Sequence, residues 1–147
     1  MSSAIKTAYG TATAFSGASG LNSAAAAAYV NLGTIDNTTA LLLDYLVEVQ
    51  VTPSATPTGN QQIVVFATDS VDGTNFSDSS TDANMALLGT IQMSAASAYR
   101  SKAMSVAAAF GGNLPPKMQV IAKIDDGVAL AASGNSAQYV GVNGTVG

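Results

Sequence analysis

The sequence predicts an all-β domain: an antiparallel β-sandwich, jelly-roll-like, behind an extended N-terminal arm. Three observations carry this reading. Apolar residues recur with period two, the spacing of a half-buried strand. Gly, Pro and Asp-Gly punctuate the chain at short intervals, each a turn residue for its own steric reason. No long amphipathic helix interrupts the pattern, which leaves about six to eight short strands, the layout of a sandwich or jelly roll. The 147 residues are enough for one domain.

Residues 1–35 are Ala, Ser, Thr and Gly with few bulky side chains, so they read as an arm; residues 36–147 read as the sandwich. Within the arm, Ser23 before Ala24–Ala28 has the form of a capped helical turn, closely bounded by Gly20 and Gly33. Tyr9, Phe15, Leu21, Tyr29 and Leu32 are its anchors and the expected contacts on a partner. Removing residues 1–30 is then expected to abolish attachment and leave the fold intact.

From Leu41 the pattern changes. Tyr45, Val47, Val49 and Val51 alternate with Asp44, Leu46, Glu48 and Gln50, and Pro53 and Pro57 end that strand. Residues 63–68 (IVVFAT) are apolar on both faces, which predicts a central strand. The polar stretch that follows, opened by Asp72-Gly73, reads as a hairpin or decorated loop reaching Asn84. Residues 85–93 form a short apolar run, and residues 100–108 fit either a strand or an Ala-driven helix. After the break at 111–116, Met118, Val120, Ala122 and Ile124 alternate with polar neighbours and Ile121, the cleanest strand of the chain. Asp125-Asp126-Gly127 turns it, and Tyr139, Val140 and Val142 belong to a last strand.

Composition narrows the chemistry. The chain has no Cys and no His. Thiolate nucleophiles, disulfides, Ser-His-Asp triads and the usual zinc and haem ligand sets are therefore absent. Ser101-Lys102 lacks the Ser-x-x-Lys spacing, and nine acids spread through loops specify no catalytic pair. The expectation is a non-enzymatic protein without cofactor. Five basic residues against nine acidic ones give a net charge of −4, which does not suit a nucleic-acid partner. No stretch approaches the ~18 apolar residues of a membrane helix, and the N-terminus has no apolar signal core. The chain reads as soluble and made in the cytoplasm, with no membrane partner.

Charge is segregated. Seven acids and no cation lie between Lys6 and Arg100, whereas Arg100, Lys102, Lys117 and Lys123 follow without an acid among them. A solvated surface accounts for this simply. The sharper expectation is an acidic face meeting a neighbour's basic face, with Arg100 and Lys102 opposite Asp72 and Asp78. Other candidates compete with ordinary turn roles. Asp69, Asp72, Asn75 and Asp78 offer calcium-type oxygens without an EF-hand spacing. Asn37, Asn75 and Asn143 begin glycosylation sequons. Five Tyr with no Trp make a weak carbohydrate platform.

Three segments together, DNTTALLLDYLVEVQVTP (36–53), FATDSVDGTNFSD (66–78) and SVAAAFGGNLPPKMQVIAKIDDGVAL (105–130), resemble a family of small structural proteins of tailed bacteriophages, of head-decoration or minor-capsid type. The resemblance spans roughly residues 20–142 and implies a β-sandwich without catalytic residues. The expectation that follows is a decoration, or cement, protein on the virion head surface. It binds the major capsid protein as a homotrimer and stabilises the shell across subunit joints. A tail, neck or fibre component is the alternative, as is a carbohydrate-binding jelly roll for host adsorption.

Overall fold

A computed structural model of the chain describes residues 5–146. Strand β1 (Ile5–Tyr9) and the short β2 (Thr13–Ala14) precede β3 (Tyr29–Asp36). Next come β4 (Asp44–Val51), β5 (Gln62–Ser70) and β6 (Ala86–Gln92). The two-residue strands β7 (Tyr99–Arg100) and β8 (Met104–Ser105) lead into a single helical turn, α1 (Val106–Ala109). Strands β9 (Lys117–Asp125) and β10 (Ser136–Val146) complete the fold.

The strands form two antiparallel sheets. The first has the order β1-β10-β4-β7, with β2 also on β10 and β8 also on β4; the second has the order β3-β9-β5-β6. The pairing is nested. The first strands pair with the last (β1 and β2 with β10), β3 with β9, β4 with β7 and β8, and β5 with β6. Rolling that long hairpin upon itself adds the β10–β4 and β9–β5 ladders. The all-β antiparallel sandwich read from the sequence is the observed architecture.

The core lies between the sheets. On β4 the residues of one parity, Tyr45, Val47, Val49 and Val51, are buried, as period two requires. On β9 the inward set is Met118, Val120, Ala122 and Ile124, each fully buried. β5 is buried on both faces. Ile63, Val65 and Ala67 face the core, while Val64 and Phe66 meet Ile121 on the outside in a second small cluster closed by Tyr29 and Met85. The segment between β5 and β6 thus covers the outer face of the second sheet.

The arm expectation is corrected here. Residues 5–35 belong to the sandwich. Phe15, Leu21, Leu32 and Ile35 are at most 4 % exposed and sit in the main core. The Phe15 ring centroid lies 4.7 Å from that of Tyr139. Gly17 donates its N–H to the Leu32 carbonyl at 2.7 Å, laying this segment along the free edge of β3. A Cβ on Gly17 would stand 2.4 Å from the Asn31 carbonyl oxygen, so only glycine permits the approach. Bulky residues spaced too far apart for any periodicity act as single anchors, and the small residues between them let the backbone lie close.

The helical turn at 24–28 does not form. Ser23 and Ala27 have φ of 58° and 64°, and Ala27 and Leu130 hydrogen-bond across to Ile124 and Ala24 instead. Tertiary pairing overrides the propensity of the Ala run. Residues 100–108 divide between the two readings: short strands first, then the α1 turn. There the Ser105 hydroxyl accepts the Ala108 N–H as an N-cap.

Candidate functional site

A groove of about 610 Å³ opens along one side of the sandwich, between edge strand β6 and residues 99–109. It forms because β6 ends the second sheet while β7 and β8 end the first on the same side. A bulge interrupts that second wall. Arg100 pairs with Gln50 and Met104 with Val47, so three residues on one strand face two on β4. Ser101 anchors the bulge, its N–H donating to the Val49 carbonyl and its Oγ accepting the Val49 N–H. Lys102 and Ala103 are thereby turned out to solvent.

Asp44 fixes the far end of the wall. Its carboxylate accepts the Ser105 hydroxyl at 2.6 Å and the Ala107 N–H at 2.8 Å, tying β4 to the start of α1. Gly89 lets the Met104 side chain pack against β6 across the groove floor, since a Cβ there would stand 2.8 Å from the Met104 sulfur. Tyr99 closes the near end, its oxygen accepting the N–H groups of Ser94 (3.0 Å) and Ala95 (2.9 Å).

Hydrogen bonds from the Ser94 and Ser97 hydroxyls, with those backbone N–H groups, favour the phenolate and lower the Tyr99 pKa to about 8. Tyr29 and Tyr45 move the other way, Tyr29 through its hydrogen bond to Asp82 and Tyr45 through burial. A spectrophotometric titration of the native chain is therefore expected to show one tyrosine ionising near pH 8. Tyr99→Phe removes that step. With the folded pKa below the unfolded value of about 10, this group's contribution to stability is full above the unfolded value. It fades as the pH falls through the folded one. A native titration with no component below the ordinary tyrosine range contradicts this geometry.

The residues singled out from the sequence are dispersed. Phe15, Leu21 and Leu32 are core, so they do not reach a partner. Tyr9 is 65 % exposed on the outer face of the first sheet, paired with Val142. Tyr29 lies on the outer face of the second sheet, where its hydroxyl donates to Asp82 at 2.6 Å and Lys123 pairs with the same carboxylate at 2.7 Å. Those contacts hold the Asp82 pKa below its ordinary value, Lys123 first and then Tyr29. Arg100 pairs with Glu48 at 2.9 Å within the chain and also donates to Gln50. Lys102 stands at the groove mouth and forms no ion pair among the described residues.

Three carboxylates of residues 69–84 serve that segment itself, whereas Asp82 reaches Tyr29 and Lys123. Asp72 accepts the N–H groups of Thr74 and Asn75, both at 2.8 Å, and a hydroxyl from Ser70, which together depress its pKa strongly. Asp78 accepts the Ser80 hydroxyl and N–H, and its pKa falls to about 2. Asp69 accepts the Ser77 hydroxyl. Each acid is thus spent on a local turn, and no cluster of metal-ligating side chains occurs among the described residues. Asp126 is fully buried in the turn after β9, where burial raises its pKa.

Sequence reasoning missed a second surface. Tyr9, Leu41 and Leu43 are 65 %, 74 % and 62 % exposed. The Leu43 N–H donates to the Val142 carbonyl, and Tyr9 pairs with Val142 on the other side, so the two flank one residue. Half-buried Leu46 and Val140 continue along the same outer face, around a shallow depression that Ala12 and Ala103 complete. In the sequence Leu46 stands among the polar residues of its strand's alternation, and Val140 belongs to a last strand with no alternation to mark its face. No protein-family model matches the chain, and no curated protein matches it in sequence.

Proposed function

We propose that this chain is a non-enzymatic structural subunit of a tailed-phage virion, a head decoration protein that binds the major capsid protein and braces joints in the shell. The two-sheet antiparallel sandwich with its nested strand pairing carries the reading: it suits a jelly roll, an architecture used by capsid and lectin domains. The resemblance of residues 36–53, 66–78 and 105–130 to phage structural proteins points the same way.

The attachment surface in this reading is the outer face of the first sheet, with Tyr9 and Leu43 as its apolar contacts. Exposed apolar groups gathered at one end of a sheet suit a protein interface. Trimer formation would let three such faces engage one capsomer junction, so that weak single contacts add. The function is mechanical. Area buried across a joint opposes its separation by packaged DNA.

The test is to purify particles, separate heads from tails and quantify the chain in each fraction. Many copies on heads, lost in a Tyr9→Ser/Leu43→Ser variant that folds normally, is the expected result. A few copies on tails or necks overturns the decoration reading in favour of a tail component. Absence from particles overturns the virion reading altogether.

A further inference from the structure

We propose that the free edge of β6 accepts an extended, acidic segment of a partner protein as an added strand, seated in the groove beside Lys102. The inference stands on that edge and groove alone and is independent of which particle the chain serves.

β6 ends its sheet: β5 pairs along one side, and no backbone group of the described residues pairs along the other. Natural edge strands are protected by charge, proline, bulges or a covering segment. The other edges here are so treated. The free edge of β3 is covered by the segment around Gly17. The edge made by β7 and β8 is bulged and carries Arg100 and Lys102. β1 carries Lys6. β6 reads ALLGTIQ, with neither charge nor proline, and its one irregularity is the extra residue Leu88 between the Leu87 and Gly89 pairings with β5. It is the least guarded of these edges, and the groove lies directly along it.

The groove suits a strand. Met104 packs over Gly89 at its floor, and Leu88 and Ala103 add apolar lining. Main-chain hydrogen bonds to β6 would supply affinity, and the lining would select alternate side chains. Charge selects the occupant. The lining holds two cations and no carboxylate. Arg100 is engaged by Glu48, which leaves Lys102 to pair with the guest. A second copy joined edge to edge through β6 would bring the unpaired Lys102 of both copies to one junction with no acid in either lining, and like charges so placed are repulsive. A segment that carries Asp or Glu among apolar residues meets the same groove with complementary charge.

The probe is a displayed peptide library of about ten residues, enough to span β6 at ~3.3 Å per residue, selected on the full chain. Enriched peptides are expected to alternate apolar residues with Asp or Glu. A synthetic copy should slow hydrogen exchange of β6 amides, and Lys102→Glu should weaken it about tenfold, as for a close charge pair. Replacing the peptide's acid with Lys should weaken binding to the native chain and restore it to Lys102→Glu. Lys102 is exposed, so the variant keeps the fold, which circular dichroism checks. Failure to enrich, enrichment without acids, protection outside β6, or indifference to Lys102→Glu each overturns the proposal. Self-association of the free chain with β6 amides already protected assigns the edge to a second copy and overturns it too.

Discussion

A chain beginning at residue 31 is expected to lose its cooperative fold. Its near-ultraviolet circular dichroism should be flat, its amide proton spectrum collapsed, and its resistance to protease gone. The truncation removes β1 and β2, which strips β10 of its outer partners. It also removes Phe15, Leu21 and Ala24 from the main core and uncovers β3. Burying a large apolar side chain stabilises by roughly 1.5–3 kcal/mol, and a domain's whole margin is about 5–15 kcal/mol. Losing two large core residues, a sheet edge and a cover together exceeds that margin. Leu21→Ala in the full chain isolates one part of the effect and should cost about 2–5 kcal/mol in urea unfolding, because Leu21 is fully buried. A dispensable arm gives the opposite result, an unchanged transition in both variants, and that result would refute the placement of these residues.

The contrast shows what was legible in the sequence. Period two was written plainly in β4 and β9, where a β-branched or apolar residue sits at every inward position between neighbours that are polar apart from Leu46 and Ile121. The continuous run of β5 correctly announced a strand buried on both faces, although what covers its outer side, Tyr29 and Met85, comes from distant segments. The first 35 residues carried no such code. Phe15, Leu21 and Leu32 each fill a core position, yet they sit on a loop, a 3-10 turn and a strand, so no single period relates them. Low local bulk suggested an arm; the small residues instead serve close backbone approach, as at Gly17.

The site was less legible than the fold for a related reason. Arg100 and Lys102 stood out as cations, but their separate roles depend on β4. Glu48 and Gln50 capture Arg100, whereas the bulge held by Ser101 turns Lys102 outward. The groove exists only because two sheet edges, separated in sequence by the stretch after β6, end on the same side. Gly89 lay unremarked in an apolar run; its role is to clear Met104, a contact that no local pattern encodes.

Gly127→Ala is expected to destabilise far more than Gly73→Ala, although both glycines follow Asp in a turn and share a left-handed backbone. Their φ values are 76° and 74°. An Ala forced into that region costs roughly 1–2 kcal/mol wherever it occurs, so strain alone makes the two variants equal. Packing separates them. A Cβ at Gly73 meets only the flexible Lys117 chain, at 3.5 Å or more. At Gly127 it would lie 2.3 Å from the Thr58 hydroxyl and 2.8 Å from the Thr58 carbonyl oxygen. The hydroxyl can rotate away; the carbonyl cannot, because the Thr58 N–H is held by the Asp126 carbonyl at 2.7 Å. Relief therefore means parting the β4–β5 connection from the turn after β9, at a cost of several kcal/mol in all, in the range of other strained backbone substitutions. Asn tolerates the left-handed region better than Ala, which supplies the control. Gly73→Asn should recover most of the loss seen in Gly73→Ala, whereas Gly127→Asn should recover little, since its Cβ meets the same carbonyl. Equal urea midpoints for Gly73→Ala and Gly127→Ala would mean that backbone strain governs both turns and that the Thr58 contact constrains nothing.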